Sequence, residues 1–445
     1  MSHILAIDVG TSKVCALIAQ IGADKSARIV GSGICKSQGL VKGVITDIAK
    51  AAAAIKTATD EARQHAGVSI SRAIVSVSGA YAKSVQSSGK ANIPLKDIEF
   101  KDVNRVMRLA LESAAAPSPP DEEILHVFPY SFKVDDQSYV EDPVGMSGSR
   151  LETQVNIILA KKTALDNLRK AIAGAGIEIG ALALSGYVAS IAVLNEDEKK
   201  LGACVIDIGA ASFNLVVYQG NAPRHCDFFA VGGGHITSDL AISLHTPQRA
   251  AEEIKIQYGR LNGKDNGSIE IPEIGNENAV RRSVSWETIA NVIGARMEET
   301  VLIQNGLLIK SHLKSDAAAG VVFTGGASKL VGLSEMAEPI FGNIPIRIAY
   351  PKALAGMADS LRDPTYSVAI GLIRYGAGEF TPYEIDSNNV LKGNPRGGAQ
   401  KPIEQGEEID QGETKIKSPE VDFPPDGISE PTFLKRFWNW LSQIF

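Results

Sequence analysis

Basic residues are not in excess in this chain: 45 Lys and Arg stand against 51 Asp and Glu, a net charge of -6. With no basic stripe either, the electrostatic footprint of a nucleic-acid-binding protein is missing. Cysteine is scarce. The four present form no CxxC pair and have no histidine at metal-ligand spacing, which argues against a disulfide framework or a zinc site. Cys15 and Cys204 fall inside apolar runs and read as buried thiols of a reducing cytosol. Long apolar runs are absent as well. None approaches the ~20 residues needed to span a bilayer, and the N-terminal run is interrupted by Asp8 too early for a signal peptide. The expectation is a soluble cytosolic chain. Its 445 residues exceed one compact domain and suffice for two α/β lobes with insertions.

What is present is organised around Leu201–Tyr218, LGACVIDIGAASFNLVVY. The short apolar run Ala203–Ile206 predicts a buried strand. Asp207 follows at the mouth of a small-residue turn, Gly209, Ala210, Ala211 and Ser212, before a second apolar run, Phe213–Tyr218. Small residues let backbone N–H groups approach phosphate oxygens, and a carboxylate at the rim can hold a hydrated Mg2+. One such turn is weak evidence, but the pattern occurs twice. Ile4–Leu17 reads ILAIDVGTSKVCAL, with Asp8, Gly10, Thr11, Ser12 and Lys13 in corresponding places about 200 residues earlier. The repeat predicts a duplicated α/β unit with a ligand cleft between its halves, two facing loops gripping a polyphosphate and its metal.

In chain order, strands are predicted at Ala27–Lys36 and Ala73–Ser78, the first three strands antiparallel, with a helix at Asp47–His65 capped by Asp47. From Ser84 to Glu152 the character shifts to polar and proline-bearing. That stretch reads as an inserted subdomain with a helix near Asp102–Ala116 and a strand at Ile124–Val134, after which Gln154–Ala160 resumes the core. Beyond the central loop, Gly232, Gly233 and Gly234 feed a helix at Thr237–Leu244, where unpaired N–H groups suit an anion. Glu252 and Lys255 share one face of the next helix, either as a plain ion pair or as a clasp for a ribose and base. Asn262–Arg282 reads as strand-poor, and Ser285–Ile309 as a long helix. Val321–Phe323 delivers a further glycine turn, Gly325, Gly326, Ala327 and Ser328, read as the wall against which an adenine lies.

This ordered set resembles the phosphate and adenosine motifs of the superfamily of actin, the Hsp70 chaperones and the sugar kinases. Within it the chain resembles the FtsA family of bacterial actin-like cell-division proteins. GLVKGVITDIAKA at Gly39–Ala51, FFAVGGGHITSDLAISL at Phe228–Leu244 and VVFTGGASKLVGL at Val321–Leu333 carry the closer match. The resemblance implies a duplicated, ribonuclease H-like two-lobe α/β ATPase fold with ATP and Mg2+ in the cleft. It implies Asp8 and Asp207 as metal-holding carboxylates, acting through water. It divides the chain into a first-lobe core at 1–83 and 153–195, an inserted subdomain at 84–152, a second-lobe core at 196–233 and 305–383, and a subdomain at 234–304. That last subdomain is the one that receives the C-terminal peptide of the tubulin-like protein FtsZ, with Arg281, Arg282 and Arg296 as candidates for pairing with an acidic peptide. Other division proteins, and head-to-tail copies of the chain itself, are further implied partners.

Two departures qualify the resemblance. The family's second phosphate loop is usually richer in glycine, with an acid a little further on, whereas this chain has Ala210, Ala211 and Asn214. Hydrolytic relatives place a water-orienting polar or acidic residue before that loop, where Leu184–Tyr187 offers Ser185 alone. Binding with slow or no turnover is the expectation.

Residues 384–430 are rich in Gly, Pro and charge, a disordered-linker composition, reaching roughly 35–40 Å on flexible-coil scaling. Then 431–445, PTFLKRFWNWLSQIF, turns apolar. Phe433, Phe437, Trp440, Leu441 and Ile444 share one helical face, and Lys435 and Arg436 lie off it. With Leu434, Trp438 and Phe445 they make an amphipathic helix suited to the interface of an anionic leaflet. Docking of this helix on its own body is the alternative, and the resemblance favours the membrane. The resulting reading is a peripheral adaptor on the inner face of the cytoplasmic membrane at the division site. Its rivals are a sugar or acid kinase and a pilus-assembly relative of the same fold.

Overall fold

A computed structural model of the protein describes residues 2–115, 121–261, 267–274, 281–342 and 344–394, apart from the side chains of Leu95, Ala115 and Arg281. The expected linker beyond residue 394 and the expected amphipathic helix at 431–445, with Phe433–Phe445, lie outside the described residues.

Two five-stranded sheets carry the fold, and they have the same topology. In the first, Ser2–Val9, Lys13–Ile21 and Ala27–Lys36 form an antiparallel meander, as expected for the first three strands. Arg72–Val77 then adds in parallel to Ser2–Val9, and Glu178–Leu184 in parallel to Arg72–Val77. In the second, Cys204–Ile208, Phe213–Gln219 and Ala222–Phe229 make the meander. Val321–Thr324 and Ile346–Ile348 extend it in parallel. The central strands are buried end to end, which is why they read as short continuous apolar runs. Cys15 and Cys204 are fully buried and unpaired, as expected.

The Ile48–Ala66 helix covers the first sheet. Asp47 caps it by accepting from Lys50 N at 3.0 Å. Between the lobes lie two almost wholly buried helices, Ser185–Val193 and Ser367–Gly376. They approach so closely that a Cβ on Gly371 would stand 1.8 Å from the Val188 carbonyl oxygen. No helix among the described residues is long and apolar enough to cross a membrane.

The inserted subdomain differs from the expectation at both borders. Its sheet runs Ala82–Asp97, Ser147–Lys161, Glu122–Val134 and Gln137–Val140, backed by the Phe100–Ala115 helix. Gln154–Ala160, read as a return to the core, is therefore part of a central strand of the insert. Ser147–Lys161 pairs with Ala82–Asp97 along one edge and Glu122–Val134 along the other. A continuously buried apolar strand reads the same in either sheet, so pairing partners alone decide its membership.

Two further readings are corrected. The strand-poor stretch 262–282 contains Ser268–Pro272, which pairs with Arg281–Ser285 as an antiparallel hairpin. The linker does not begin at residue 384: Glu384 and Ile385 are fully buried, and Ile385 exchanges both backbone hydrogen bonds with Val127 of the insert. Residues 379–394 form a strap over the first lobe and the insert. Arg108 donates to the Asn389 carbonyl at 2.8 Å and Asn394 to Asp142 at 2.8 Å.

Candidate functional site

The two meanders begin with the same hairpin, and each turn projects into a cleft of about 430 Å3 between the lobes, within the range of small-molecule sites. In the first turn Gly10 N donates to Lys13 O at 3.0 Å; in the second Gly209 N donates to Ser212 O at 2.8 Å. The acids hold equivalent registers, Asp8 opposite Cys15 and Asp207 opposite Asn214. Duplication thus places both Asp-x-Gly turns in one cleft, with Asp8, Gly10, Thr11, Ser12, Lys13, Asp207, Gly209, Ala210, Ala211 and Ser212 all on its wall.

Both acids are buried. Asp8 accepts from Ser76 Oγ at 3.0 Å, and Ser76 Oγ in turn accepts from Val9 N. Burial raises the Asp8 carboxyl above its ordinary range, opposed by Lys13 and the Ser76 hydroxyl. Asp207 is pushed up to about 6, first by burial and then by the charge of Asp8, against the pull of the Asn214 amide at 3.4 Å. Such a pair is a ready seat for a hard cation. The described residues contain no cluster of three or more His, Cys, Asp or Glu able to cage a metal. Two carboxylates suit Mg2+, which keeps several of its waters. The Asn214 amide nitrogen faces Asp207, and its Oδ1, buried without a hydrogen-bond partner, lies toward Gly79.

Lys13 is the cation of the first loop. Its Nζ donates to Thr365 O at 2.5 Å and lies 4.5 Å from the Tyr366 ring centre. Thr11 is held from behind, its Oγ1 accepting from Gly43 N at 3.0 Å.

The Gly232–Gly234 turn behaves differently from the anion-binding end expected. Gly233 N donates to Gly209 O at 2.9 Å and Gly234 N to Ala210 O at 2.6 Å. The first N–H groups of the Gly233–Ser243 helix are thus spent on the carbonyls of the second loop. Gly232 stands behind that loop, and Gly233 lines the cleft. Glu252 and Lys255 are both an ion pair, at 2.7 Å, and cleft residues. Lys255 Nζ also donates to Gly233 O at 3.0 Å and Thr237 Oγ1 at 2.9 Å, which ties the pair to the glycine turn.

On the far side Gly325 has φ +86°, and a Cβ there would meet Asp207 Oδ1 at 2.4 Å. Only glycine lets this turn close on the acid. Gly326 and Ala327 line the cleft; Ser328 does not, its buried hydroxyl donating to Gly325 O at 2.7 Å to hold the turn. Ser185, at the start of the interlobe helix, reaches the wall as well. Cleft residues missed in the sequence include Ser76, Ser78, Gly43, Lys329 and Thr365. Ser76 carried a signal, a polar residue inside the otherwise apolar run Ala73–Val77; the others sit in loops and short 3-10 turns that only the fold brings together.

The three arginines lie away from the cleft. Arg296 is committed to Asp239, at 2.5 Å, and to Glu299. Arg282 donates to the Leu244 carbonyl at 2.7 Å. Arg281 pairs through its backbone with Pro272.

Comparison with known proteins adds to this geometry. A family model described as "Cell division protein FtsA" matches residues 204–371, and one described as "SHS2 domain inserted in FTSA" matches residues 79–159. The chain is 35% identical over 376 residues to the cell division protein FtsA of Pseudomonas aeruginosa, covering 84% of this chain and 89% of that one. It is 38% identical over 376 residues to that of Neisseria meningitidis serogroup B, covering 83% and 89%. It is 32% identical over 384 residues to that of Escherichia coli K12, covering 84% and 90%. Among solved structures it resembles a PilM-PilN type IV pilus biogenesis complex, with TM-score 0.60, 19% identity and coverage of 84% and 98%. It also resembles MreB5 of Spiroplasma citri bound to ADP, with TM-score 0.53, 14% identity and coverage of 85% and 99%. At these identities the structural likeness establishes the actin-like two-lobe fold and nothing finer.

Proposed function

This chain belongs to the FtsA family of actin-like cell-division proteins, and from that premise we propose that it is an ATP-binding adaptor tying FtsZ filaments to the inner face of the cytoplasmic membrane. The observation that carries the nucleotide part is the meeting of the two Asp-x-Gly turns in one cleft with Lys13 and the Glu252–Lys255 pair. Asp8 and Asp207 would hold Mg2+, partly through water, and the metal would neutralise phosphate charge when bound. Main-chain N–H groups and hydroxyls of Thr11, Ser12 and Ser212 would bind phosphate oxygens. Gly326 and Ala327 would wall the adenine, and Glu252 with Lys255 the ribose. At the Leu184–Tyr187 corner Ser185 is the only residue on the cleft wall, and no acid there stands ready to orient water. This favours binding with slow or no hydrolysis.

The membrane and partner parts rest on sequence and family. Residues 431–445 supply an amphipathic anchor. The subdomain at 234–304 would receive the acidic C-terminal peptide of FtsZ. Of the three candidate arginines, Arg296 would have to exchange its Asp239 and Glu299 partners, and Arg282 its Leu244 carbonyl, to pair with the peptide, which leaves Arg281 as the third candidate. Head-to-tail self-assembly follows the habit of the fold. A pilus-assembly role has only a likeness of fold behind it, whereas the relatives at 32–38% identity are division proteins.

Vesicle co-sedimentation tests this reading. The full chain is expected to pellet with anionic liposomes, while a chain ending at Glu430 stays in the supernatant, with ATP present or absent. Full chain and truncation both remaining soluble would overturn the adaptor. Phosphate transfer from ATP to a sugar or short-chain acid would instead establish the kinase alternative.

A further inference from the structure

A buried polar cluster lies outside the cleft, at the junction of insert, first lobe and strap. His126 and Glu384 are each fully buried, and His126 Nδ1 lies 2.9 Å from Glu384 Oε1. The Glu384 carboxylate also accepts from Tyr375 OH at 2.7 Å and Tyr187 OH at 2.8 Å, and Lys392 Nζ is 3.9 Å away. A buried carboxylate with this many donors is held in one place.

Its reach continues through the histidine. The backbone N–H of Leu184 donates to His126 Nε2 at 3.1 Å. A backbone amide can only donate, so Nε2 carries the lone pair and the ring proton sits on Nδ1, donated to Glu384. Leu184 is the residue before the interlobe helix, and its neighbour Ser185 is on the cleft wall. We propose that Glu384 is a positioning residue for the nucleotide cleft: through His126 it holds the Leu184 backbone, and so sets where Ser185 and the start of the interlobe helix stand. Seating of the strap thereby becomes a condition of cleft geometry. Residues 395–445 are joined to the rest of the chain through this strap, so a load on the C-terminal tail has a short covalent and hydrogen-bonded route to the cleft. The inference rests on the nucleotide reading of the cleft in one arm of its test only.

The test uses the full chain with Glu384→Ala, which removes the carboxylate but leaves the Leu184–His126 bond available. Val106→Ala, in the apolar core of the insert, serves as a control for general destabilisation. Hydrogen exchange at the Leu184 amide is expected to accelerate by about tenfold or more in Glu384→Ala and to stay near wild type in the control. The dissociation constant for Mg2+-ATP, measured by calorimetry, is expected to rise about fivefold or more in Glu384→Ala alone, and Glu384→Gln, which keeps an acceptor for His126, to restore most of it. Unchanged exchange at Leu184, equal acceleration in the control, or faster exchange without loss of ATP affinity would each overturn the proposal. Failure of the wild-type chain to bind ATP would instead overturn the nucleotide reading, with the exchange result still deciding whether Glu384 positions Leu184.

Discussion

Asp207 and Glu384 are both buried acids, and their surroundings push them in opposite directions. For Asp207, burial and Asp8 raise the carboxyl from 3.8 to about 6. Its folded form therefore takes up a proton more readily than its unfolded form. Its ionisation works against the fold above about pH 6, and stability returns as pH falls from 6 toward 4. Asp207→Asn is expected to stabilise the metal-free protein at pH 7.5 by about 2–3 kcal/mol, a gain that fades at low pH. The same variant is expected to weaken Mg2+-ATP binding by at least about tenfold. Denaturant melts at a series of pH values check the first, and calorimetric titration with Mg2+-ATP checks the second. For Glu384, burial opposes the charge, but Lys392, His126 and Tyr375 outweigh it and hold the carboxyl below its usual range. Its contribution is present above the ordinary carboxylate range and is lost as pH falls through its folded value.

The paired interlobe helices are where a single methyl group matters most. Ser185–Val193 is buried at every position, and Gly371 of its partner helix leaves no room for a side chain against Val188. Gly371→Ala forces the helices apart and is expected to destabilise by about 3 kcal/mol or more, since overpacking here displaces backbone rather than a flexible side chain. Thermal melts check the loss. Gly294 makes the contrast: a Cβ there meets nothing within 4 Å. Gly294→Ala, inside the Trp286–Lys310 helix, is expected to be neutral or stabilising by up to about 1 kcal/mol.

Taken whole, the body is two copies of one sheet topology joined at a cleft, with an insert strapped to the first. Tyr383 packs on Phe100 and Phe132, and Ile385 pairs with Val127, so the strap completes the core of the insert. A chain ending at Asn394 is expected to melt close to the full chain. One ending at Thr381 is expected to melt several degrees lower, with early loss of protection across the insert. Coincident melting of the two truncations would mean that the strap adds little.

The duplicated loops were legible in the residues because their function is local. A short strand, an acid and small residues must be adjacent in sequence for a hairpin to present them, and duplication repeats that order at Asp8 and Asp207. The family was legible in other local stretches, Gly39–Ala51, Phe228–Leu244 and Val321–Leu333. The fate of Glu384 was not legible. Its partners Tyr187 and His126 lie 197 and 258 positions away, and its own neighbourhood has the composition of a linker. Gln154–Ala160 likewise carried its strand pattern openly but not the identity of its sheet. Periodicity and turn chemistry act between neighbours and are written along the chain. Burial of a charge, or the edge a strand pairs with, depends on groups that meet only after the chain has folded.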